Sequence, residues 1–326
     1  MASPEASQPI VNSFDQIKSG EFKRTPTDFH CKITAGGEYP PEPNRYVLYV
    51  SLACPWAHRT LLTRALKGLE DVIDVVVVHP VWGVVDHATG RKSWVFSHPE
   101  NAQPPGPLAD LLSQYPNYQD PEAYSQLSQD DLSYLHNIDL KSTSIGDVPV
   151  NDKLNSKRSL KEIYELHNPA YVGRYTVPVL FDTKTNTIVN NESSEIIQFL
   201  DTSFNEWAKY PDFTLFPASI PLAKIQDENV KMYNSFNNGV YRAGFAQSQI
   251  AYNQAQKDVY GYLDYLEDLL KSHRFIAGNE FSESDIRCIV TLFRFDSVYI
   301  SHFKLSAKRI ADYPTIVDYL SYVHSH

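Results

Sequence analysis

The chain has 326 residues, of which 42% are hydrophobic and 21% charged, and its formal net charge is −10. This composition is typical of a globular protein with room for two hydrophobic cores. The negative charge argues against nucleic acid and anionic membranes as partners, because both usually bind a basic surface. Small molecules and proteins remain as candidate partners.

The sequence lacks the signals of export and of membrane insertion. Residues 1–16 contain neither the charged nor the apolar region of a secretory signal, and no apolar stretch approaches the ~20 residues that span a bilayer. The cysteines, Cys31, Cys54 and Cys288, are an odd and widely spaced set, which disfavours a disulfide framework. No Cys/His group has zinc-ligand spacing. We therefore expect a cytoplasmic protein without membrane spans or a bound metal.

The first part of the chain predicts a βαβ unit after an irregular start. Residues 1–44 are rich in proline and glycine, which predicts an irregular N-terminal extension. Arg45 to Leu52 is aromatic and β-branched, as in a strand, and Ala57 to Glu70 places leucines at helical spacing. Asp71 to His79 contains an uninterrupted valine run, typical of a strand buried on both faces. Cys54 lies at the first strand-to-helix turn of this unit.

The next part predicts an insertion and then a hairpin. The stretch from about 81 to 170 is dominated by Pro, Gly, Ser, Asp and Gln, which predicts a long insertion. Thr176 to Asp182 and Thr187 to Asn190 then form a predicted hairpin, and a helix follows from about Ser193 to Leu200. The order β-α-β, then β-β-α, is that of a thioredoxin-like domain, which we assign to residues 45–205.

The remaining residues, 206–326, show helical periods and few strand signals, which predicts an all-helical C-terminal domain. Its main predicted helices cover 225–236, 249–272 and 284–299. Ser282 and Asp285 lie at the start of the last of these and can cap each other's backbone N–H groups. The predicted fold class is therefore an α/β thioredoxin-like domain followed by an all-α domain.

Cys54 occupies the predicted start of a helix, in the run ACPWAHRT. A cysteine there faces unpaired backbone N–H groups and the positive end of the helix dipole, which stabilise a thiolate and can lower its pKa to ~3.5–7.5. Pro55 suits the first helical turn, where a missing N–H has no effect. His58 and Arg59 add polar or positive groups. The alternative is that Cys54 is an inert buried thiol.

Two further motifs are expected beside this turn in a thioredoxin-like domain. Val177-Pro178 opens the hairpin, and a cis-proline would expose the Val177 backbone to an extended peptide, whereas a trans-proline would mark an ordinary strand start. At the next helix start, Ser193 and backbone N–H groups can bind a carboxylate while Glu192 binds an ammonium. That combination suits the free amino-acid end of glutathione. The alternative is simple helix capping by Ser193.

Several separated motifs together resemble one known family. They are CPWAHRT at 54–60, GRYTVP at 173–178, NNES at 190–193, NGVYRAGFA at 238–246, TLFRFDSVY at 291–299 and HFK at 302–304. The family that they resemble is the glutathionyl-hydroquinone reductases, the Xi class of glutathione transferases and relatives of the omega class. The resemblance covers about residues 45–320 and implies the glutathione transferase fold.

The resemblance implies that glutathione is a co-substrate and that Cys54 is the nucleophile. The glutathione-binding residues that it implies are Trp94, Arg174, Val177, Glu192 and Ser193. In this assignment Val177 pairs with the cysteinyl backbone of glutathione, and Glu192 with Ser193 binds its γ-glutamyl end. The alternatives are that Trp94 is an aromatic plug in the insertion and that Arg174 forms a surface ion pair.

The resemblance also implies an acceptor site in the helical domain. Tyr241 is similar to a family tyrosine that can hydrogen-bond a phenolic oxygen, although buried tyrosines are more often structural. Arg242 and Tyr299 are further acceptor-site candidates, and either can instead pack or pair within the bundle. The expected partners are therefore glutathione and aromatic quinone or hydroquinone conjugates.

The reaction that the resemblance implies is an exchange at sulfur. The Cys54 thiolate attacks the sulfur of a glutathionyl-hydroquinone, the hydroquinone leaves, and a second glutathione then releases oxidised glutathione from the mixed disulfide. Ala57 stands where a resolving cysteine would follow, so one protein thiol is used. Three alternatives remain open: an omega-like thioltransferase or dehydroascorbate reductase, a non-catalytic glutathione-transferase-like binding module, and a redox sensor with a low thiol pKa.

Two features bear on which member of the family the chain resembles. The long stretch between Glu100 and about Lys157 is similar to insertions in fungal members. The sequence ends at His326, where the family usually continues into an aromatic tail that helps to close the acceptor pocket. The resemblance further implies a homodimer.

Overall fold

A computed structural model of the chain describes residues 17–18, 20–80, 82–86, 90–96 and 157–325. Most of the predicted insertion, residues 97–156, and residues 1–16 of the predicted extension lie outside the described residues. The strands of the described part are β1 (Ile17–Lys18), β2 (Glu21–Phe22), β3 (Tyr46–Val50), β4 (Asp74–Val77), β5 (Gly83–Asp86), β6 (Arg91–Ser93), β7 (Val179–Asp182) and β8 (Thr187–Asn190).

The helices of the same ranges divide between the two domains. They are α1 (Pro55–Leu66), α2 (Leu160–His167), α3 (Ser193–Thr202), α4 (Leu222–Met232), α5 (Gly239–Gly244), α6 (Gln249–Leu270), α7 (Glu283–Arg294) and α8 (Pro314–Ser325). Two π-helical turns, Tyr233–Asn237 and Phe295–Tyr299, continue α4 and α7, and a 3₁₀ turn spans Ile310–Asp312. None of the helices in these ranges is both long and apolar enough to cross a bilayer.

A four-stranded mixed sheet forms the centre of the first domain. Its strand order is β4-β3-β7-β8, with β3 and β4 parallel and the other pairs antiparallel. Strand β3, Tyr46–Val50, is buried at every position, as expected for a central strand covered by helices on both faces. The predicted βαβ unit and hairpin are confirmed, and so is the predicted fold class.

Ordered elements also occur within the range 81–170, where the sequence pattern predicts an insertion. The hairpin β5–β6 and helix α2 both lie in that range. Leu160, Ile163 and Tyr164 of α2 are fully buried in the core of the first domain, together with Phe96. Helix α2 has only eight residues, so its single apolar face gives too short a pattern to stand out beside the polar stretch before it.

The helical domain has its own core, and Asp285 at the start of α7 connects three parts of it. As predicted, the Asp285 carboxylate accepts the backbone N–H of Ser282 at 2.9 Å. The Ser282 hydroxyl also donates to this carboxylate, at 2.9 Å. The Asp285 carboxylate also accepts hydrogen bonds from the Ile276 N–H at 3.1 Å and from the Tyr319 hydroxyl at 2.8 Å.

We expect Asp285→Ala to lower the free energy of unfolding by about 3 kcal/mol, because it leaves several buried donors without an acceptor. Urea denaturation measures this loss. Asp227→Ala, an exposed position on α4, is the matched control and should change stability by less than about 0.5 kcal/mol. A loss below about 1 kcal/mol for Asp285→Ala would contradict the central role of this carboxylate.

Candidate active site

Cys54 is the N-cap residue of α1, directly before Pro55 at the first helical position. Its backbone is extended, and its carbonyl accepts the N–H of His58 at 3.0 Å, which starts the helix. The Cys54 Sγ lies 3.7 Å from the carbonyl oxygen of Val177 and can donate a weak hydrogen bond to it. The peptide bond between Val177 and Pro178 is cis, which decides between the two alternatives for that proline. The predicted meeting of the two motifs is confirmed.

The electrostatics of Cys54 differ from the sequence-based prediction. The thiol keeps some solvent exposure, yet the protein surrounds it closely, and this desolvation raises the pKa of Cys54. The backbone N–H groups of Ala57 and Trp56 and the charges of Arg24 and Arg294 act in the opposite direction. The predicted lowering of the pKa is therefore wrong for the ligand-free protein, because burial outweighs the helix start.

Arg294, at the end of α7, holds the loop that carries Cys54. Its guanidinium donates to the carbonyls of Leu52 at 2.8 Å and Ala53 at 3.3 Å. It also lies 3.0 Å from Nδ1 of His58. Burial and the positive charge of Arg294 lower the pKa of His58 to about 4, so the neutral imidazole accepts this hydrogen bond. The helical domain thus fixes the loop of the first domain that carries Cys54.

A pocket of about 270 Å³ opens beside this loop. It is lined by four of the five predicted glutathione-binding residues and by parts of both domains and of the N-terminal extension. The lining residues are Arg24, Thr25, Pro26, Thr27, His30, Trp56, Arg174, Thr176, Val177, Pro178, Asn191, Glu192, Ser193 and Tyr233. Within the described ranges, no three His, Cys, Asp or Glu side chains are grouped to hold a metal ion.

Glu192, not Ser193, is the capping residue of α3. One oxygen of its carboxylate accepts the N–H of Ser194 at 3.1 Å, and the other accepts the Thr27 hydroxyl at 3.3 Å. Ser193 is the first residue of α3 and is buried against the pocket. The alternative of simple capping by Ser193 is therefore wrong, and the Glu192 carboxylate faces the pocket at the positive end of a helix.

Arg174 forms no ion pair within the described residues. Its guanidinium instead donates to the backbone carbonyls of Thr25 at 2.6 Å and Pro26 at 3.3 Å. Burial and the neighbouring charge of Arg24 lower its pKa. The alternative that Arg174 forms a surface ion pair is therefore not found among the described residues. Arg174 lies beside the pocket, and no carboxylate in that part of the chain is within ion-pair distance of its guanidinium.

The N-terminal strap, which we define as residues 20–33, crosses the opening of the site. Its Phe29 N–H donates to the Asn191 side chain at 3.1 Å, and His30 pairs with Glu195 at 3.1 Å. At its other end, the Gly20 carbonyl accepts an N–H from the helical domain at 3.0 Å. The strap lies within the extension for which the sequence predicts only irregular structure. It joins both domains over the pocket.

An aromatic cluster from the helical domain forms the other side of the site. The Tyr241 ring stacks on Trp56 with ring centres 6.1 Å apart, and it lies 6.3 Å from Tyr299 and 5.5 Å from Phe303. Burial raises the pKa of Tyr241 to about 12, so its hydroxyl stays protonated and can donate. Two predicted acceptor-site residues, Tyr241 and Tyr299, are thus brought together near Cys54.

The structure does not bring Arg242 and Trp94 to the pocket. Arg242 pairs with Asp258 at 2.9 Å on α6, which is the bundle pairing given as its alternative. Trp94 packs against Trp82, with ring centres 5.5 Å apart, and against the core of the first domain. The chain that follows Trp94 lies outside the described residues after residue 96. The contact of Trp94 with glutathione therefore stays a prediction.

Sequence reasoning missed the strap residues and Arg294. The strap has no apolar period, and its only signal is the polar run RTPT at 24–27 within a proline-rich segment. Arg294 lies inside the TLFRFD motif, but an arginine in a helical bundle usually makes a local ion pair. Besides a local bond to the Val290 carbonyl, it contacts residues more than 230 positions away in sequence, which no local pattern can reveal.

Comparison with known families agrees with this arrangement. The family model for the N-terminal domain of glutathione S-transferase matches residues 53–203, and that for the C-terminal domain matches residues 249–320. A cysteine at the start of α1, a cis-proline opposite it and a helical domain beside the pocket define a cysteine-type glutathione transferase.

Individual relatives narrow the class. Glutathionyl-hydroquinone reductase YqjG of Escherichia coli is 39% identical over 310 residues, which is 92% of this chain and 77% of the relative. The crystal structure of glutathione S-transferase Xi from Phanerochaete chrysosporium is 37% identical, with a TM-score of 0.73 over 92% of this chain and 80% of that one. The glutathione-bound structure of YqjG is 36% identical, with a TM-score of 0.68 over 90% and 80%. The chain belongs to the Xi-class, glutathionyl-hydroquinone reductase family of glutathione transferases and is an enzyme.

We expect the Cys54 thiol to titrate above the value of ~8.5 for free cysteine in the ligand-free protein, because desolvation is the largest effect on it. Thiolate absorbance followed against pH measures this, with Cys54→Ser as the blank that removes the contribution of Cys31. Cys288 is buried and its pKa is also raised, so it adds little signal. A midpoint clearly below ~8.5 would mean that the backbone N–H groups and arginines dominate.

Proposed function

We propose that the protein removes glutathione from glutathionyl-hydroquinones through a Cys54–glutathione mixed disulfide. The observation that carries the proposal is the position of Cys54 between two surfaces. On one side lies the polar pocket with the Val177 carbonyl, and on the other lies the aromatic cluster around Tyr241. A conjugate of a polar tripeptide with an aromatic ring has these same two parts, joined at a sulfur atom.

The polar pocket supports a definite orientation of glutathione. The Glu192 carboxylate and Ser193 at the start of α3 can bind the ammonium and the carboxylate of the γ-glutamyl end. The backbone of Val177, which lines the pocket, can pair with the cysteinyl residue, which directs the glutathione sulfur towards Cys54. The positive charge of Arg174 can attract the second carboxylate of the tripeptide.

The first chemical step exchanges one bond to sulfur for another. The Cys54 thiolate forms a disulfide bond with the glutathione sulfur while the bond from that sulfur to the aromatic carbon breaks. The electron pair of the broken bond stays on the aromatic carbon, which takes up a proton. The hydroquinone is therefore released in reduced form, and the two sulfur atoms are oxidised.

Tyr241 can assist the aromatic group in this step. Its protonated hydroxyl, beside Tyr299 and Trp56, can donate a hydrogen bond to a phenolic oxygen of the ring. The ring itself can stack within the same cluster, as aromatic pairs do at offset or edge geometry.

A second glutathione completes the cycle. Its thiolate attacks the glutathione sulfur of the mixed disulfide, the Cys54 thiolate leaves, and oxidised glutathione is released. The two electrons that reduce the aromatic carbon thus come from two glutathione sulfur atoms, one from the conjugate and one from free glutathione. Action in the cytosol stays a prediction from the lack of export signals, and a homodimeric assembly stays a prediction of the family resemblance.

A substrate panel tests the proposal against the thioltransferase and dehydroascorbate reductase alternatives. The purified enzyme is assayed with glutathionyl-menadiol, hydroxyethyl disulfide and dehydroascorbate at equal glutathione concentration. We expect glutathionyl-menadiol to have the highest kcat/KM, and Cys54→Ser to lose on the order of 1,000-fold or more on every substrate. Activity confined to the other two substrates would overturn the proposal.

Tyr241→Phe separates the aromatic reaction from general sulfur exchange. We expect it to lower kcat with glutathionyl-menadiol about tenfold, for loss of one hydrogen bond, and to leave hydroxyethyl disulfide turnover nearly unchanged. Tyr210→Phe, at an exposed position, is the matched control. An equal loss on both substrates would show that the hydroxyl does not act on the acceptor.

A further inference from the structure

Arg24 of the strap lies inside an aromatic cage beside Cys54. Its guanidinium carbon is 4.7 Å from the ring centres of both Trp56 and Tyr241 and 5.6 Å from that of Phe22. Its Nε donates to the Asn238 side chain at 3.0 Å. The three rings come from the strap, from α1 and from α5, so the charge is held where all three parts of the protein meet.

The charge of Arg24 is not neutralised by its surroundings in the described residues. No carboxylate lies within ion-pair distance of it there, and its neighbour in the pocket, Arg174, is also positive. An arginine that serves only to attach a segment usually pairs with a carboxylate or with several carbonyls, as Arg294 does. Arg24 instead packs against the faces of aromatic rings, and no carboxylate in the described residues neutralises its positive charge.

Groups from several elements act electrically on Cys54, and the backbone N–H groups of Ala57 and Trp56 on α1 are the strongest that favour the thiolate. Arg24 reaches it from the strap and Arg294 from α7, while Tyr241 and Tyr299 are its neutral neighbours from the helical domain. The contacts of Arg294 are with the carbonyls of the loop behind the thiol. Arg24 lines the pocket into which glutathione is proposed to bind, as does Val177, whose carbonyl oxygen lies 3.7 Å from the Cys54 Sγ.

We propose that Arg24 is the electrostatic partner of the Cys54 thiolate, held in place by the Trp56–Tyr241–Phe22 cage. This inference rests on the proposed use of Cys54 as nucleophile. Arg24 acts through Cys54, by stabilising the thiolate, and is therefore a positioning residue. The thiolate exists twice in the cycle, once when it attacks the conjugate and once when it leaves the mixed disulfide, so the same charge assists both steps.

The cage depends on the N-terminal strap, which carries both Arg24 and Phe22. Desolvation opposes ionisation of Cys54, and the backbone N–H groups of Ala57 and Trp56, followed by the charges of Arg24 and Arg294, act against it. A positive charge has its strongest effect in such a low-dielectric site. The strap is anchored on both domains, through Gly20 and Phe29 among others, so the cage and its cation form only when the strap is in place. Ionisation of the Cys54 thiol is therefore coupled to placement of the strap over the site.

Alkylation of Cys54 tests the inference without any hydroquinone substrate. The rate of reaction with iodoacetamide is measured against pH and followed by mass spectrometry of the Cys54 peptide, which excludes Cys31. We expect Arg24→Gln to react about tenfold more slowly near neutral pH and to titrate at higher pH. Lys23→Gln removes the same charge from an adjacent exposed residue and should match the wild type.

Arg24→Lys separates charge from attachment of the strap. It keeps the charge and loses the flat guanidinium, so we expect its thiol to titrate much closer to that of the wild type than to that of Arg24→Gln. Equal shifts in the Lys and Gln variants, or an Arg24→Gln profile like that of Lys23→Gln, would overturn the inference. If the wild type fails to reduce glutathionyl-menadiol while Arg24→Gln still shifts the thiol titration, the proposed function fails and the inference stands.

Discussion

Desolvation of the Cys54 thiol at the start of α1 is the constraint on which the rest of the site depends. The segments that surround the sulfur desolvate it, and this enclosure favours the neutral thiol over the thiolate. The backbone N–H groups of α1 and two arginines from outside the first domain act in the opposite direction and lower the pKa of Cys54. The ionisation of one cysteine therefore depends on correct assembly of the whole protein.

The assembly is achieved by contacts between segments that are distant in sequence. Arg294 binds the loop carbonyls before Cys54, which fixes the sulfur opposite Val177. The strap closes the pocket from the other side and carries Arg24 to the aromatic cluster. Helical residues on π turns, such as Tyr299, complete that cluster, and such turns occur frequently at functional sites.

The sequence predicts the parts of this site that follow local rules. The position of Cys54 follows from strand and helix periods, and the meeting with Val177-Pro178 follows from the order of elements in a thioredoxin-like domain. The direction of the thiol pKa could not be predicted, because it depends on how closely other segments surround the sulfur. The strap has no period, and the contacts of Arg24 are with Trp56 and Asn238, residues that only the fold brings near.

The central claim is that Cys54 accepts glutathione as a disulfide, and mass spectrometry of the protein after one turnover tests it most directly. The reduced enzyme is mixed with glutathionyl-menadiol in the absence of free glutathione and then digested without reductant. We expect one glutathione on the Cys54 peptide, removed by dithiothreitol, with Cys31 and Cys288 unmodified and an equal amount of menadiol released. Release of menadiol without an adduct, or an adduct on Cys31 alone, would contradict the account.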